Sequence, residues 1–122
     1  MSNIATTISQ SRKLIELGLD KTSANMYYPY LGAGMYGDTP RVGFPIEHSG
    51  GRDIPAWSLS ALLEVVPNEY QPLLRKECKW YMDAWYEYGN LIAGGCYEPL
   101  DAAYEMVCKM LERGLIKKGG EQ

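Results

Sequence analysis

The segment Ile54–Pro67 constrains the fold more than any other stretch, because it specifies a short helix together with both of its ends. Ser58 is a favourable N-cap residue, since its hydroxyl can accept a hydrogen bond from a free N–H group of the first turn. Trp57, the residue before the cap, can pack on Leu62 as a hydrophobic staple. Apolar residues follow at helical spacing, at Leu59, Leu62, Leu63 and Val66. Pro67 cannot continue a helix, so the predicted helix starts after Ser58 and ends before Pro67.

A first helix is predicted near the N-terminus from signals at both of its ends. Thr7 and Gln10 match the capping-box pattern, in which each side chain bonds the backbone of the other residue. Gly18 suits the left-handed position that follows a helix, and the leucine after it can fold back onto the last turn. These signals predict a helix over about Ile8–Leu17.

A last helix is predicted to begin at Pro99, a residue favoured at the first helical position, and to end at Gly114. Its apolar stripe consists of Leu100, Ala103, Tyr104, Val107 and Leu111. Residues 1–6 and 117–122 flank the predicted elements, and we expect both ends to fray.

Between the first two helices the spacing of apolar residues changes to two. Val42, Phe44, Ile46 and His48 alternate with Arg41, Gly43, Pro45 and Glu47, which predicts a strand. Pro45 cannot donate to a neighbouring strand, so this strand should lie at an edge. The aromatic-rich segment Met26–Leu31 is its predicted partner.

The segment Cys78–Tyr88 fits two patterns. As a strand it places Cys78, Trp80, Met82, Ala84 and Tyr86 on one face, whereas a helix would group Trp80, Tyr81, Ala84, Trp85 and Tyr88. The density of Trp and Tyr and the turn signal Tyr88-Gly89-Asn90 favour a strand that returns over Leu91–Tyr97. The helix remains the alternative.

The predicted elements make one domain in the order α-β-β-α-β-β-α. The 122 residues, 46% hydrophobic and 22% charged, suffice for a single core. Helices packed on one face of a small antiparallel sheet of about four strands would bury all three apolar stripes. We therefore expect an α+β fold.

The net charge and the cysteine content argue against several functional classes. The net charge of −3 offers no basic field for nucleic acid, and no apolar run approaches the roughly 20 residues that span a bilayer. The N-terminus lacks the pattern of a secretory signal. Cys78, Cys96 and Cys108 are odd in number and far apart, so they match neither a disulfide framework nor a metal site. We expect reduced thiols in a cytoplasmic protein.

The segment Gly32–Gly37 matches the G-x-G-x-x-G pattern, and an acidic residue, Asp53, follows at about the required distance. A pyrophosphate site needs a helix directly after the glycines, whereas a turn and a strand are predicted here. A hairpin loop is therefore the favoured interpretation. The alternative is a small ligand-binding protein or enzyme that uses Gly32, Gly34, Gly37, His48 and Asp53.

Ten tyrosines and three tryptophans are the remaining functional signal. On a strand, Tyr81 and Trp85 lie opposite the face that carries Trp80, so one aromatic face must meet water, another layer or a partner. We predict an interaction surface made of Tyr81, Trp85, Tyr27 and Tyr30, which binds a protein partner or a second copy; packing within the core is the alternative. Asp83 and Glu87 are expected on a solvated face. No catalytic residue, metal site or cofactor is predicted.

The segment Ile54–Leu63, Ile-Pro-Ala-Trp-Ser-Leu-Ser-Ala-Leu-Leu, resembles one that recurs in small uncharacterised proteins of gut anaerobic bacteria, often in phage-like or mobile regions. Lys79–Asp83 and Pro99–Val107 are similar as well. The resemblance implies no activity and no functional residues. It supports the strand interpretation of Lys79–Asp83.

Overall fold

The computed structural model describes residues 4–43, 52–86 and 89–119, which form an α+β fold. The helices are α1 (Ile8–Glu16), α2 (Leu59–Val65) and α3 (Pro99–Glu112). The strands are β1 (Met26–Tyr28), β2 (Tyr30–Gly32), β3 (Met35–Tyr36), β4 (Arg41–Val42), β5 (Ile54–Ala56), β6 (Leu73–Glu77), β7 (Lys79–Tyr86) and β8 (Gly89–Cys96). Within these ranges no helix is long and apolar enough to cross a membrane.

The predicted starts of the first two helices are confirmed. Before α1, the Gln10 N–H donates to Thr7 Oγ1 (3.1 Å) and the Thr7 N–H donates to Gln10 Oε1 (2.9 Å), which completes the capping box. Before α2, the Ser58 hydroxyl accepts the Ala61 N–H at 3.3 Å. Local side chains therefore satisfy orphan donors at both helix starts.

The predicted helix ends are confirmed too. After α1, Gly18 has φ +101° and the Leu19 N–H donates to the Leu14 carbonyl at 3.0 Å. After α3, the Leu115 N–H donates in the same way to the Met110 carbonyl at 2.8 Å. Both ends are Schellman motifs, with glycine in the left-handed position that a side chain would strain.

The described strands form three small antiparallel sheets, so the expected single sheet of about four strands is wrong. Their orders are β4-β1-β5, β2-β3 and β6-β7-β8. Pro29 separates β1 from β2, which divides the predicted strand Met26–Leu31. Three strands were not predicted, Met35–Tyr36 (β3), Ile54–Ala56 (β5) and Leu73–Glu77 (β6). The element order is therefore α-β-β-β-β-β-α-β-β-β-α.

The predicted pairing of the first strands is confirmed where it can be followed. Met26 lies opposite Val42 and Tyr27 opposite Arg41 in the β1–β4 pair. The remainder of that predicted strand, with Phe44, Pro45, Ile46 and His48, lies outside the described residues.

The strand interpretation of the aromatic segment is confirmed, and the helix alternative is wrong. β7 pairs along its length with β8, with Met82 opposite Ala93 and Tyr86 opposite Gly89. Gly89 and Asn90 belong to β8 rather than to a turn. The turn predicted at these two residues is therefore wrong.

The main core lies between the sheet β6-β7-β8 and the helices. α3 packs on β7 and β8, α2 packs on α3, and α1 packs on β5 and α3. Because α3 lies between other elements, its buried surface extends beyond the predicted stripe to Ala102, Met106, Cys108 and Met110. The expectation that all three helices cover one sheet face is therefore wrong, since α3 occupies that face and the others pack around it.

Some described residues of the two segments expected to fray make long-range hydrogen bonds. Thr6 is buried, its N–H donates to the Trp57 carbonyl (2.9 Å), and its carbonyl accepts the Tyr28 hydroxyl (2.9 Å). At the other end the Gly119 N–H donates to the Gly18 carbonyl at 2.7 Å. Long-range hydrogen bonds therefore hold both segments.

Candidate functional site

The sheet β6-β7-β8 has an inner face against α3 and a second face, here called the outer face. The outer face consists of Leu73, Arg75 and Glu77 from β6, Lys79, Tyr81, Asp83 and Trp85 from β7, and Asn90, Ile92 and Gly94 from β8. Leu73, Trp85 and Ile92 keep 50, 40 and 46% of their surface exposed. The outer face is therefore an apolar sheet surface open to solvent.

Asp83 lies at the centre of the outer face. Leu73 and Ile92 lie directly opposite it on the two neighbouring strands, and only 7% of its surface is exposed. Its Oδ2 accepts a hydrogen bond from Arg75 Nε at 2.8 Å, but its Oδ1 is buried and has no hydrogen-bond partner within the described residues. A buried carboxylate oxygen without a donor is energetically unfavourable, so this atom marks an unsatisfied position.

Arg75 is held in place by several neighbours on the outer face. Besides Asp83, its guanidinium contacts Glu77 through Nη1 and lies over the Tyr81 ring, 4.7 Å from the centroid. The hydrogen bond to Asp83 raises the pKa of Arg75, so the group stays charged. The side chain is 30% exposed, which leaves part of the guanidinium accessible to a partner.

The charges of the outer face balance. Arg75 and Lys79 are positive, and Glu77 and Asp83 are negative. The surface thus combines exposed apolar side chains with charges of both signs and carries no excess of positive charge.

The structure brings together two of the four predicted interaction residues. Tyr81 and Trp85 share the outer face of β7, as the strand interpretation required. Tyr27 lies on β1, the central strand of another sheet, and is buried, so it cannot serve as an exposed contact. Tyr30 belongs to β2 and packs against Tyr36, with ring centroids 5.3 Å apart. The single predicted surface is therefore wrong in this respect.

The glycine-rich segment forms the predicted hairpin. Gly32, Ala33 and Gly34 all have positive φ, at +96°, +53° and +76°, and reverse the chain between β2 and β3. After β3, the Gly37 N–H donates to the Pro29 carbonyl at 2.9 Å, and the next element is strand β4. The helix N-terminus that a pyrophosphate site requires does not follow these glycines.

Asp53 anchors this hairpin. It is 6% exposed, and its Oδ1 accepts the Tyr30 N–H at 2.8 Å. Its Oδ2 is buried with no hydrogen-bond partner in the part of the chain that is described. The structure thus places Asp53 at the base of the hairpin that carries Gly32 and Gly34. His48, the other residue of the alternative site, lies outside the described residues.

Asp83 is the functional candidate that sequence analysis missed, because it was expected on a solvated face. The acid lies in the middle of an aromatic strand, and Arg75 precedes it by eight residues. That spacing makes a cross-strand pair only if Leu73–Glu77 is known to be a strand. Glu87, expected beside it, lies outside the described residues.

Among the described residues, Asp53 and Asp83 are the side chains with a buried polar atom that lacks a hydrogen-bond partner. Across residues 4–43, 52–86 and 89–119, no cluster of three metal-ligating side chains occurs. Cys78, Cys96 and Cys108 are unpaired thiols. An open groove of about 370 Å³ between the starts of α2 and α3 is lined mainly by Ile4, Leu59, Pro99 and Leu100. It resembles an apolar surface depression more than a polar site.

Comparisons of the chain with protein-family models, curated proteins and solved structures found no match. The chemistry of the outer face is therefore the basis for inferring a function.

Proposed function

We propose that this chain is a non-enzymatic protein-interaction module that binds its partner through the outer face. The observation that carries the proposal is the set of exposed apolar side chains Leu73, Trp85 and Ile92, which keep 50, 40 and 46% of their surface accessible on a single sheet face. A partner that packs on this face would cover these apolar side chains and could accept a hydrogen bond from the exposed part of the Arg75 guanidinium.

The surrounding residues support this role. Trp, Tyr and Arg are enriched among the residues that dominate binding energy at interfaces, and Trp85, Tyr81 and Arg75 lie together on the outer face. Arg75 is already held by Asp83, Glu77 and the Tyr81 ring, so little further ordering is needed when a partner binds.

The cellular setting is part of the same proposal. Unpaired cysteines are typical of a reducing compartment, so the cytoplasm fits Cys78, Cys96 and Cys108. A phage or mobile-element origin, suggested by the sequence resemblance, is included as a hypothesis. Nucleic acid is disfavoured as the partner because the charges on the outer face balance.

Site-specific photo-crosslinking tests the proposal. A photoreactive phenylalanine analogue is placed at Ile92 on the outer face or, as a matched control, at Val42, an aliphatic strand residue in another sheet that is 83% exposed. We expect a discrete protein adduct from position 92 in cells, loss of that adduct on Asp83→Ala, and none from position 42. Absence of adducts, or equal adducts at both positions, would contradict the proposal.

A second candidate function is a small-ligand site at the glycine hairpin, whose base Asp53 holds by accepting the Tyr30 N–H. Thermal-shift screening of ligands rich in N–H donors tests it, since a ligand at 100 times its Kd stabilises the native state by about 2.7 kcal/mol. We expect a shift that Asp53→Asn abolishes. No shift with any compound would rule out this candidate.

A further inference from the structure

We propose that the edge of β8 binds an extended strand of a partner protein, and that an acidic side chain of that strand pairs with Lys109. The ligand is a short peptide segment that adds one more strand to the sheet β6-β7-β8 through backbone hydrogen bonds. The site is the edge of the sheet and not its outer face, so this inference goes beyond the proposed function.

Backbone groups of β8 are directed away from the sheet at alternate residues. β8 is the last strand in the order β6-β7-β8, and no described strand pairs with its far side. The Ile92 carbonyl accepts a hydrogen bond from Lys109 Nζ at 2.8 Å, which shows that it is directed away from β7. Alternate residues of an antiparallel strand direct their N–H and C=O groups to the same side, so those of Asn90 are also directed outward. Both residues are exposed, and an incoming strand can therefore reach these groups.

The β8 edge lacks the features that protect other edges of this fold. Its eight residues include no charged residue and no proline. β6, at the opposite edge, contains Arg75, Lys76 and Glu77 in succession, and the edge strand β5 contains Pro55. Charged residues and proline on an edge oppose the addition of a strand. Regular pairing with β7 covers residues 89–94, which limits the binding segment to that stretch.

Lys109 determines the charge of the partner strand. It belongs to α3, which packs on the inner face of the sheet, and its ammonium group lies at the β8 edge. An incoming N–H group would compete with this ammonium group for the Ile92 carbonyl. A carboxylate on the inner-face side of the new strand would then supply a partner for Lys109.

Ile92 determines the neighbouring positions of the partner strand. Its side chain lies on the outer face and is 46% exposed. An apolar residue directly opposite it would cover this side chain. Because side chains alternate between faces, the partner strand should carry an acidic residue between two apolar ones.

A second copy of the chain fits this edge less well. Antiparallel pairing of two β8 strands centred on Ile92 would bring the Lys109 ammonium groups of both copies close to the twofold axis. Like charges that lie opposite each other destabilise paired strands. An acidic strand from a different protein avoids this repulsion.

A synthetic probe, acetyl-Thr-Val-Glu-Val-Thr-amide, tests strand addition. It is added to the isotope-labelled chain, and the backbone amides are followed by nuclear magnetic resonance. We expect saturable shift changes and slower hydrogen exchange at Asn90 and Ile92. The Kd should lie in the millimolar range, because so short a strand forms only about four backbone hydrogen bonds with the edge.

N-methylated probes provide the matched control for backbone pairing. Methylation of the valine amides removes N–H groups that face β8, whereas methylation of the glutamate amide removes one that faces away. We expect the first change to abolish binding and the second to alter the Kd by less than about twofold.

A probe with lysine in place of glutamate tests the charge. We expect it to bind the wild-type chain about fivefold more weakly than the glutamate probe. Lys109→Ala should remove this preference, whereas Lys76→Ala, which removes a lysine from the β6 edge, should preserve it. Lys109 is exposed on α3, so its replacement leaves the core intact, and circular dichroism checks that both variants are folded.

Each other outcome overturns a stated part of the inference. No change at Asn90 and Ile92 up to tens of millimolar probe overturns strand addition, and the outer-face proposal is then still decided by its own crosslinking test. Changes centred on Leu73 and Trp85 would assign the probe to the outer face. Equal affinity for the two probes overturns the acidic preference. Shifts at Asn90 and Ile92 that depend on chain concentration without probe would make the occupant a second copy.

Discussion

Both faces of β7 carry aromatic side chains, but the two faces have different surroundings. On the inner face, Met82 and Ala84 are completely buried against α3. On the outer face, Trp85 is 40% exposed although its aromatic ring would suit a core equally well. Alternation along β7 thus separates a buried apolar face from a face that mixes aromatic and charged side chains, and this chain covers only the first with its own helix. The remaining face is available for a partner.

The buried polar groups around Thr6 are hydrogen-bonded, whereas one buried oxygen on the outer face is not. Thr6, Trp57 and Tyr28 satisfy one another's polar groups inside the chain. Asp83 is buried to a similar extent but keeps one oxygen without a donor among the described residues. Buried polar groups are normally satisfied, so Asp83 Oδ1 is an exception that lies beside exposed apolar side chains.

The largest expected effect tests the inner face directly. Met82→Ala should lower the free energy of unfolding by about 2–5 kcal/mol, because it leaves a cavity between β7 and α3. Trp85 lies three residues further along β7, on the outer face. Trp85→Ala should lower the free energy of unfolding of the monomer by less than about 1 kcal/mol. Urea denaturation at low protein concentration measures both. Equal losses would contradict the distinction between the faces.

A second prediction concerns Gly94, which lies opposite Tyr81 beside an irregularity in the β7–β8 pairing. A Cβ at Gly94 would lie 2.5 Å from the Trp80 carbonyl oxygen and 2.7 Å from the Tyr81 Cα, and φ is +132°. Gly89 has a similar φ of +147° but nothing within 4 Å, so Gly89→Ala is a matched control for backbone strain alone. We expect Gly94→Ala to cost about 2 kcal/mol more than Gly89→Ala in urea denaturation. Equal costs would show that the neighbouring strand yields.

Local signals explain which parts of this fold could be predicted from the sequence. Thr7, Ser58 and Gly18 form their capping contacts within one helical turn. The ends of these helices can therefore be predicted without any knowledge of tertiary contacts. Strand β7 could be recognised from its aromatic density, and the inner and outer sets of its side chains followed from alternation.

Long-range pairing explains what could not be predicted. Ile54–Ala56 contains a proline and has no alternation of its own, yet it forms β5 because β1 pairs with it. Leu73–Glu77 is mostly charged at its end and becomes β6 through pairing with β7. Asp83 looked solvated because its burial depends on Leu73 and Ile92, which only the completed sheet brings beside it. The candidate site therefore required the structure, whereas Tyr81 and Trp85 did not.

A third prediction tests the asymmetry of the Arg75–Asp83 pair. Arg75→Ala should cost about 2 kcal/mol, because it leaves a buried carboxylate with no described donor. Asp83→Asn should cost about 1 kcal/mol or less, because Arg75 is 30% exposed and can turn toward water. Urea denaturation of the two variants under conditions that keep the chain monomeric compares them. A larger loss for Asp83→Asn would show that Arg75, and not Asp83, is the group that depends on the pair.

The smallest expected effect is a difference in alkylation rate between two cysteines, Cys78 and Cys96, near the end of the β6–β7 hairpin. Cys96 pairs with Trp80 in register and its thiol donates to Glu105 at 3.6 Å, whereas Cys78, between β6 and β7, is exposed. Burial, assisted by the charge of Glu105, raises the pKa of Cys96 from 9.0 to about 11. Because a raised pKa favours the protonated form in the folded state, this thiol contributes stability below pH 9 that is lost as the pH rises toward 11.

At pH 8 only about one part in a thousand of Cys96 would be thiolate, so iodoacetamide should alkylate Cys78 first and Cys96 far more slowly. Mass spectrometry of digested samples over time measures both rates, and denaturation in urea should remove the difference. Similar rates in the folded chain would contradict the burial of Cys96 against α3.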